Sequence, residues 1–309
     1  MRDEPQASDA PSSLSLDTLR QAVTALALAL RGAGLETPEL DARRLVLDGL
    51  SLDSAALLRE PDRRLDDKEQ QHVREACTRR LAREPVSRIL GKRAFHGLDF
   101  EIGPATLDPR PDTETLVDGV LQLVADGRVP AGEAPRILDI GTGSGAILVA
   151  LLCRLPKATG LGTDISDEAL AIARRNAARH GLAQRARFKC TSWFDGVDGP
   201  FDLVISNPPY ISSEKLAELE PEVVHFDPVY ALDGGPDGLS AYRAIASGLP
   251  RILVPGGWVA VEVGMGQSDA VASILANGLN HSRNGSAGSA LVWFDPGGIA
   301  RCVAREARA

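Results

Sequence analysis

An apolar run that ends in alternating glycines sets the frame of this chain. Arg136-Ile137-Leu138-Asp139-Ile140 reads as a buried strand, Gly141-Thr142-Gly143-Ser144-Gly145 as a tight turn, and Ala146-Ile147 as the opening of a helix. Three glycines at alternate positions let the backbone pass close to a ligand, with the free N–H groups of a helix N-terminus just beyond. The spacing is G-x-G-x-G rather than G-x-G-x-x-G, so a dinucleotide pyrophosphate is not the first expectation. Gly160-Leu161-Gly162-Thr163-Asp164 then reads as a second strand ending in a carboxylate, which can accept from both hydroxyls of a ribose.

A second stretch carries the chemistry. Phe201-Asp202-Leu203-Val204-Ile205 is a strand, stopped within Ser206-Asn207-Pro208-Pro209-Tyr210 by two consecutive prolines. Neither proline has an N–H, and each holds the residue before it extended. The product is a stiff loop at a strand's carboxyl end that offers the Asn207 side chain, the Pro208 carbonyl and the Tyr210 ring. Two acceptors and an aromatic face suit a planar NH2 group. Taken alone, the stretch also fits a strand followed by an ordinary proline-rich turn, the less favoured reading, and the glycine turn upstream weighs further against it.

From residue 109 onward strands and helices alternate, with strands expected near 136–140, 159–164, 185–190, 202–206 and 257–263 and two closing strands near 289–294 and 299–304. This predicts a mostly parallel sheet covered by helices on both faces, with ligands at the strands' carboxyl ends. Residues 1–84 read differently, as a small helical bundle behind a polar, disordered start at 1–13. Ser15 is the expected cap of its first helix, and Leu16, Leu19, Val23, Leu26 and Leu30 form that helix's apolar stripe. Thr37-Pro38 opens a second helix, a short third lies around Ser54 to Arg59, and a fourth spans about Asp66 to Arg83. Between the two regions, Pro85 to Gly91 and Phe95 to Ile102 alternate with period two, which predicts a hairpin linker over 85–108. Basic and acidic residues are in near balance over the bundle, so it reads as a binding module rather than a nucleic-acid footprint.

Composition excludes several functions. The net charge of −8 disfavours a partner held mainly through phosphates, and aromatic residues are 4% of the chain. No apolar stretch is long enough to span a membrane, and the polar N-terminus is not a signal peptide. Cys77, Cys153, Cys190 and Cys302 lie far apart, which reads as reduced thiols of a cytoplasmic protein with no metal site.

Together these stretches resemble a known family. The order glycine turn, acid at the second strand, N-P-P-Y at the fourth is similar to S-adenosylmethionine-dependent methyltransferases that modify planar nitrogens. Pro109-Arg110-Pro111-Asp112-Thr113-Glu114 upstream of Leu138–Gly145 and Asn207–Ile211 narrows this to the HemK/PrmC family. Further matches are Ile89-Leu90-Gly91, Asp164-Ile165-Ser166, Asn176, Ser192-Trp193-Phe194 and Ala231 to Leu239. The likeness covers roughly 15–265. It implies a seven-stranded, Rossmann-like catalytic domain over 109–309 behind a helical domain that recognises the substrate. It implies methyl transfer from S-adenosylmethionine to the side-chain amide nitrogen of a glutamine in class 1 peptide chain release factors. Ribosomal protein glutamine methyltransferases, which carry P-R-S-P where this chain has Arg110-Pro111-Asp112-Thr113, are the nearer alternative. Nucleic acid methyltransferases acting on adenine or guanine amino groups are a remoter one, and a non-catalytic binding module that retains a cofactor fold is a further rival.

By the same resemblance, Gly141, Thr142, Gly143, Ser144 and Gly145 hold the cofactor's methionine part and Asp164 its ribose. Trp193 lies near the adenine or is a core tryptophan, and Asn207 also neighbours the cofactor. Asn207, Pro208, Pro209 and Tyr210 bind the substrate amide, with Asn207, Pro208 and Tyr210 catalytic. Outside these sets, Arg174, Arg175, Arg179, Arg185, Arg187 and Lys189 read as a solvated face in preference to a surface for a release factor or ribosomal RNA. Glu262 either reaches the active site or caps the Gly264 turn.

Overall fold

The computed structural model describes residues 15–280 and 286–308. The segment expected to be disordered, 1–13, lies outside the described residues, as do Asn284 and Gly285, which open a run of small residues over 284–289 that departs from the family's pattern. The chain divides into two compact units, Met1–Gly91 and Lys92–Ala309.

The first unit is helical: α1 (Leu19–Gly32), α2 (Pro38–Leu47), α3 (Ala56–Arg59), α4 (Asp67–Leu81) and α5 (Val86–Leu90). Leu16, Leu19, Leu26 and Leu30 are buried against Leu45, Val46 and Val73. The cap of α1 is Thr18, not Ser15: Thr18 accepts from the Gln21 amide while the Gln21 side chain accepts from the Thr18 amide. Only a residue with Gln or Glu three positions on can close that reciprocal pair. A second correction concerns 85–91, where the period-two reading predicts a strand and the chain forms α5. Val86, Ile89 and Leu90 satisfy i, i+3, i+4 as well, and that spacing packs all three against the bundle core. Pro85 precedes the helix, and Gly91, at φ +66°, ends it. A buried pair, Arg80 to Asp41 at 2.8 Å, ties α4 to α2.

The second unit opens with a hairpin, β1 (Lys92–Phe95) and β2 (Leu98–Glu101), then α6 (Glu114–Ala125), β3 (Arg136–Ile140), α7 (Ala146–Arg154), β4 (Thr159–Asp164), α8 (Asp167–Arg179), β5 (Ala186–Cys190) and β6 (Phe201–Ser206). It continues with α9 (Pro221–Phe226), α10 (Ser240–Ile252), β7 (Leu253–Glu262), α11 (Ser268–Asn280), β8 (Ser286–Ala287), β9 (Leu291–Phe294) and β10 (Ala300–Arg308). The sheet order is β5-β4-β3-β6-β7-β10, with β9 and the two-residue β8 both on β10. Strands β5 to β7 are parallel and β10 runs antiparallel to β7. This is the expected sheet of seven strands, with β8 as a short addition.

Successive side chains point to opposite faces, so each strand feeds two cores. Ile137, Leu203, Ile205, Trp258 and Ala260 face α6 and α7. Leu138, Ile140, Val204, Val259 and Val261 face α10 and α11. Trp258 is fully buried yet satisfied, its indole N–H donating to the Arg128 carbonyl at 3.1 Å. The chain steps outward from β3 to β4 to β5 and returns to β6 on the other side of β3. That reversal opens a crevice at the carboxyl ends of β3 and β6, where an open parallel sheet binds its ligands.

Candidate active site

Register brings the sequence motifs together. Ile140 pairs with Thr163 on one side and with Ser206 on the other, so the turns that begin at Gly141, Asp164 and Asn207 emerge side by side. The Ser206 hydroxyl donates to the Ile140 carbonyl at 2.7 Å and ties the two central strand ends together. Gly141 and Gly143 adopt φ of +70° and +55°, and a Cβ at either would meet nothing within 4 Å. Their bare Cα atoms face a cleft of about 690 Å³, which Asp164, Trp193, Ser206 and Pro208 also line. A side chain at either glycine would project into that space.

The carboxylate of Asp164 is held from both oxygens. Oδ2 accepts from the Gly143 amide at 2.9 Å and Oδ1 from the Ser166 amide at 3.0 Å. Burial pushes its pKa up, and the backbone donors at Ser166 and Gly143 work against that. Asp139, one strand inward, is fully buried and pushed up to about 7 by desolvation, although the Thr142 hydroxyl donates to it at 2.6 Å. Ser144 is buried and does not line the cleft; its carbonyl accepts from Asn176 Nδ2. Asn176 also exchanges bonds with the Glu101 amide and carbonyl, so one buried side chain fastens the glycine turn to β2. Trp193 is half-buried at φ +49°, lining the cleft with one part and resting on the α10–α11 core with the other.

The loop after β6 divides two clefts. Pro208 and Pro209 line the first, while Asn207 and Tyr210 line a second of about 850 Å³, and Leu107 and Ala231 belong to the walls of both. Asn207 Nδ2 donates to the Thr113 hydroxyl at 3.2 Å, and Thr113, the N-cap residue of α6, makes no side-chain cap bond to that helix. Among the described residues nothing donates to Asn207 Oδ1 or to the Pro208 carbonyl. The Tyr210 hydroxyl lies 3.4 Å from Glu262 Oε1. Glu262 lines the second cleft and is 3% exposed, so it reaches the site; the Gly264 amide bonds to Gln267 instead. Burial pushes the Glu262 carboxyl up to about 7, against the Thr113 and Tyr210 hydroxyls, and its Oε2 has no hydrogen-bond partner.

Comparison with known proteins decides the family. Residues 21–91 match the PrmC N-terminal domain and 118–225 the methyltransferase small domain. The release factor glutamine methyltransferase of Rhodospirillum rubrum is 50% identical over 249 residues, 81% of this chain and 75% of the relative. That of Bradyrhizobium diazoefficiens is 47% identical over 271 residues, 88% of this chain and 90% of the relative. The chain belongs to the release factor glutamine methyltransferase family. Among solved structures, the hMettl16 catalytic domain in complex with MAT2A 3'UTR hairpin 1 aligns with a TM-score of 0.51 at 18% identity. It covers 79% of this chain and 83% of that one, a likeness of fold.

The first cleft fits the family's methyl donor, S-adenosylmethionine. Open glycine turns admit an amino-acid moiety, and a carboxylate pinned from behind keeps outward lone pairs for hydroxyls. The sequence pattern located these groups but not Thr113, whose partner is 94 positions away. Of the basic cluster, Arg175 pairs with Glu101 at 2.6 Å and Arg185 donates to the Leu152, Leu155 and Ala158 carbonyls. Both have structural roles.

Proposed function

We propose that the chain methylates the side-chain amide nitrogen of a glutamine in a class 1 release factor. The observation that carries this reading is the loop Asn207–Tyr210 standing between two adjoining clefts with two acceptors free. A glutamine amide entering the second cleft would present its NH2 to Asn207 Oδ1 and the Pro208 carbonyl, with the Tyr210 ring as a flat support. In the first cleft, Gly141, Gly143 and the turn they shape would hold the donor's methionine part, Asp164 its ribose, and Trp193 its adenine. When bound, S-adenosylmethionine supplies a methyl group activated by a positively charged sulfur.

The residues' own work is alignment and electrostatics. An amide nitrogen is a poor nucleophile because its lone pair is delocalised. Acceptors on both N–H bonds raise its electron density and fix the direction of its lone pair. Preorganisation matters here because the acceptors need no reorientation when charge develops. The first unit, 1–91, would supply recognition surface for the intact factor, and the fold's setting would be the cytoplasm. No helix among the described residues is long and apolar enough to cross a membrane.

The test is incubation with methyl-labelled S-adenosylmethionine and three acceptors: a class 1 release factor, a ribosomal protein fraction and DNA. Label on a glutamine of the release factor alone is expected. Label confined to either other acceptor overturns the reading.

A further inference from the structure

The second cleft holds a buried carboxyl for which the transfer just described has no use. Glu262 sits at the end of β7 with Oε2 unpartnered, beside Thr113 and the Tyr210 hydroxyl. Thr113, 3% exposed, touches Asn207. A hydroxyl has a single hydrogen, and an ionised carboxylate can only accept. With Glu262 ionised, the Thr113 hydrogen turns toward it, leaving the Thr113 oxygen as an acceptor that demands an N–H. Asn207 can meet that demand only with Nδ2, and so its Oδ1 is turned to the cleft. The opposite flip would offer the substrate NH2 a second NH2 and no acceptor.

We infer that Thr113 and Glu262 are positioning residues, a relay that fixes the amide of Asn207 with its oxygen toward the acceptor nitrogen. The inference rests on the proposed amide acceptor, but the relay would serve any planar NH2 group. It gives Thr113 of the Pro109–Glu114 stretch a task at the loop after β6, and it explains why a carboxyl is kept in a site with no charge to neutralise on an amide.

The groups facing Glu262 come from four elements. Asp112 and Thr113 precede α6, Tyr210 follows β6, Tyr242 comes from α10, and Arg301 and Cys302 come from β10. Burial pushes Tyr210, Tyr242 and Cys302 upward, so these stay neutral, and Arg301 stays charged, paired with Asp112 at 2.7 Å and Asp295 at 2.8 Å. Glu262 is therefore the group of this set that changes charge near neutrality. Its protonation supplies a donor to Thr113 and frees the Thr113 hydrogen to stabilise the wrong flip.

The experiment compares Thr113→Val, Thr113→Ser and Glu262→Gln with the parent enzyme, each verified as folded by its thermal transition. Cofactor affinity is measured by titration, and kcat and KM on the acceptor that the parent enzyme methylates. Thr113→Val should keep cofactor affinity within about threefold and lose about 10²-fold in kcat, the scale of one preorganised polar partner. Thr113→Ser should restore turnover to within about threefold. In the parent, kcat should fall as pH drops through about 7, and in Glu262→Gln that fall should vanish. Turnover of Thr113→Val near that of the parent would overturn the relay, as would equal losses in the Val and Ser variants. A low-pH fall that persists in Glu262→Gln would also overturn it. Failure of the parent enzyme on a release factor, with activity on another acceptor, would remove the proposed substrate and leave the relay to be judged on that acceptor.

Discussion

The Gly143 amide donates to Asp164 Oδ2 at 2.9 Å, joining the turn after β3 to the end of β4. The bond does two jobs. It shapes the glycine turn, and it directs the carboxylate's remaining lone pairs into the cleft. Asp164→Ala should therefore weaken S-adenosylmethionine by about 1–3 kcal/mol, through unpaired hydroxyls and a loosened turn. Calorimetric titration of the folded variant checks this, and unchanged affinity would move the ribose role elsewhere.

Gly143 gives a more selective probe. Its φ of +55° disfavours any side chain, and the space beside it is the cleft itself. Gly143→Ala should cost about 1–2 kcal/mol in stability from the left-handed conformation. Its larger effect should be on cofactor affinity, because the new methyl occupies ligand space. A variant that binds S-adenosylmethionine as the parent does would show that the ligand does not approach this turn.

Asn207→Ala should fold, retain measurable cofactor binding and lose about 10²–10³-fold in kcat, since one of two preorganised acceptors is gone. Misalignment of the amide on the surviving Pro208 carbonyl adds to that loss. Tyr210→Phe is the companion variant: if the ring acts as a face, its loss in kcat should be smaller. Steady-state rates on the release factor separate the two, and near-parental turnover in Asn207→Ala would end the proposal.

Stability should depend on Glu262 with a definite sign. Burial raises its pKa from 4.5 to about 7 in the folded chain. Between those values the folded state keeps a proton that the unfolded state has released, so stability falls as pH rises through the window. Above about 7 the cost is fully present. At pH 8 the ligand-free Glu262→Gln variant should be more stable than the parent by about 1–3 kcal/mol, and near pH 4 the difference should vanish. Denaturant melts at both pH values measure it; a gain independent of pH would point to packing rather than charge.

Removal of residues 1–91 should leave S-adenosylmethionine binding intact and abolish methylation of an intact release factor. The truncated chain must first show a cooperative thermal transition. Undiminished turnover on the intact factor would assign recognition to the second unit instead.

The strands, the glycine turn and the loop after β6 were legible because their signals are local: apolar alternation, glycine spacing and paired prolines lie within a few residues. What escaped was non-local or ambiguous. Thr113 lies in a local stretch before α6, while its partner, Asn207, is 94 positions away. Asn176 carried no role until Glu101 and the Ser144 carbonyl converged on it. Glu262 left two readings open because a carboxylate at a strand end says nothing of how deeply it is buried. The short run Val86–Leu90 satisfied both periods, and only packing against the bundle chose the helix.

The excursion between Ile211 and Asp233 has an evolutionary consequence. Its two ends are bridged to each other, and the Gly234 amide closes the neck by donating to the Ile211 carbonyl at 2.8 Å. With the neck fixed, the entropy of closing the loop grows only logarithmically with its length. Residues inserted or exchanged near Leu219 and Val223, which line the second cleft only, reshape it without disturbing a strand. Acceptor preference can therefore diverge around Leu219 and Val223, while Tyr230 and Ala231 at the far end of the insert stay under the constraint of the methyl donor's cleft, which they line.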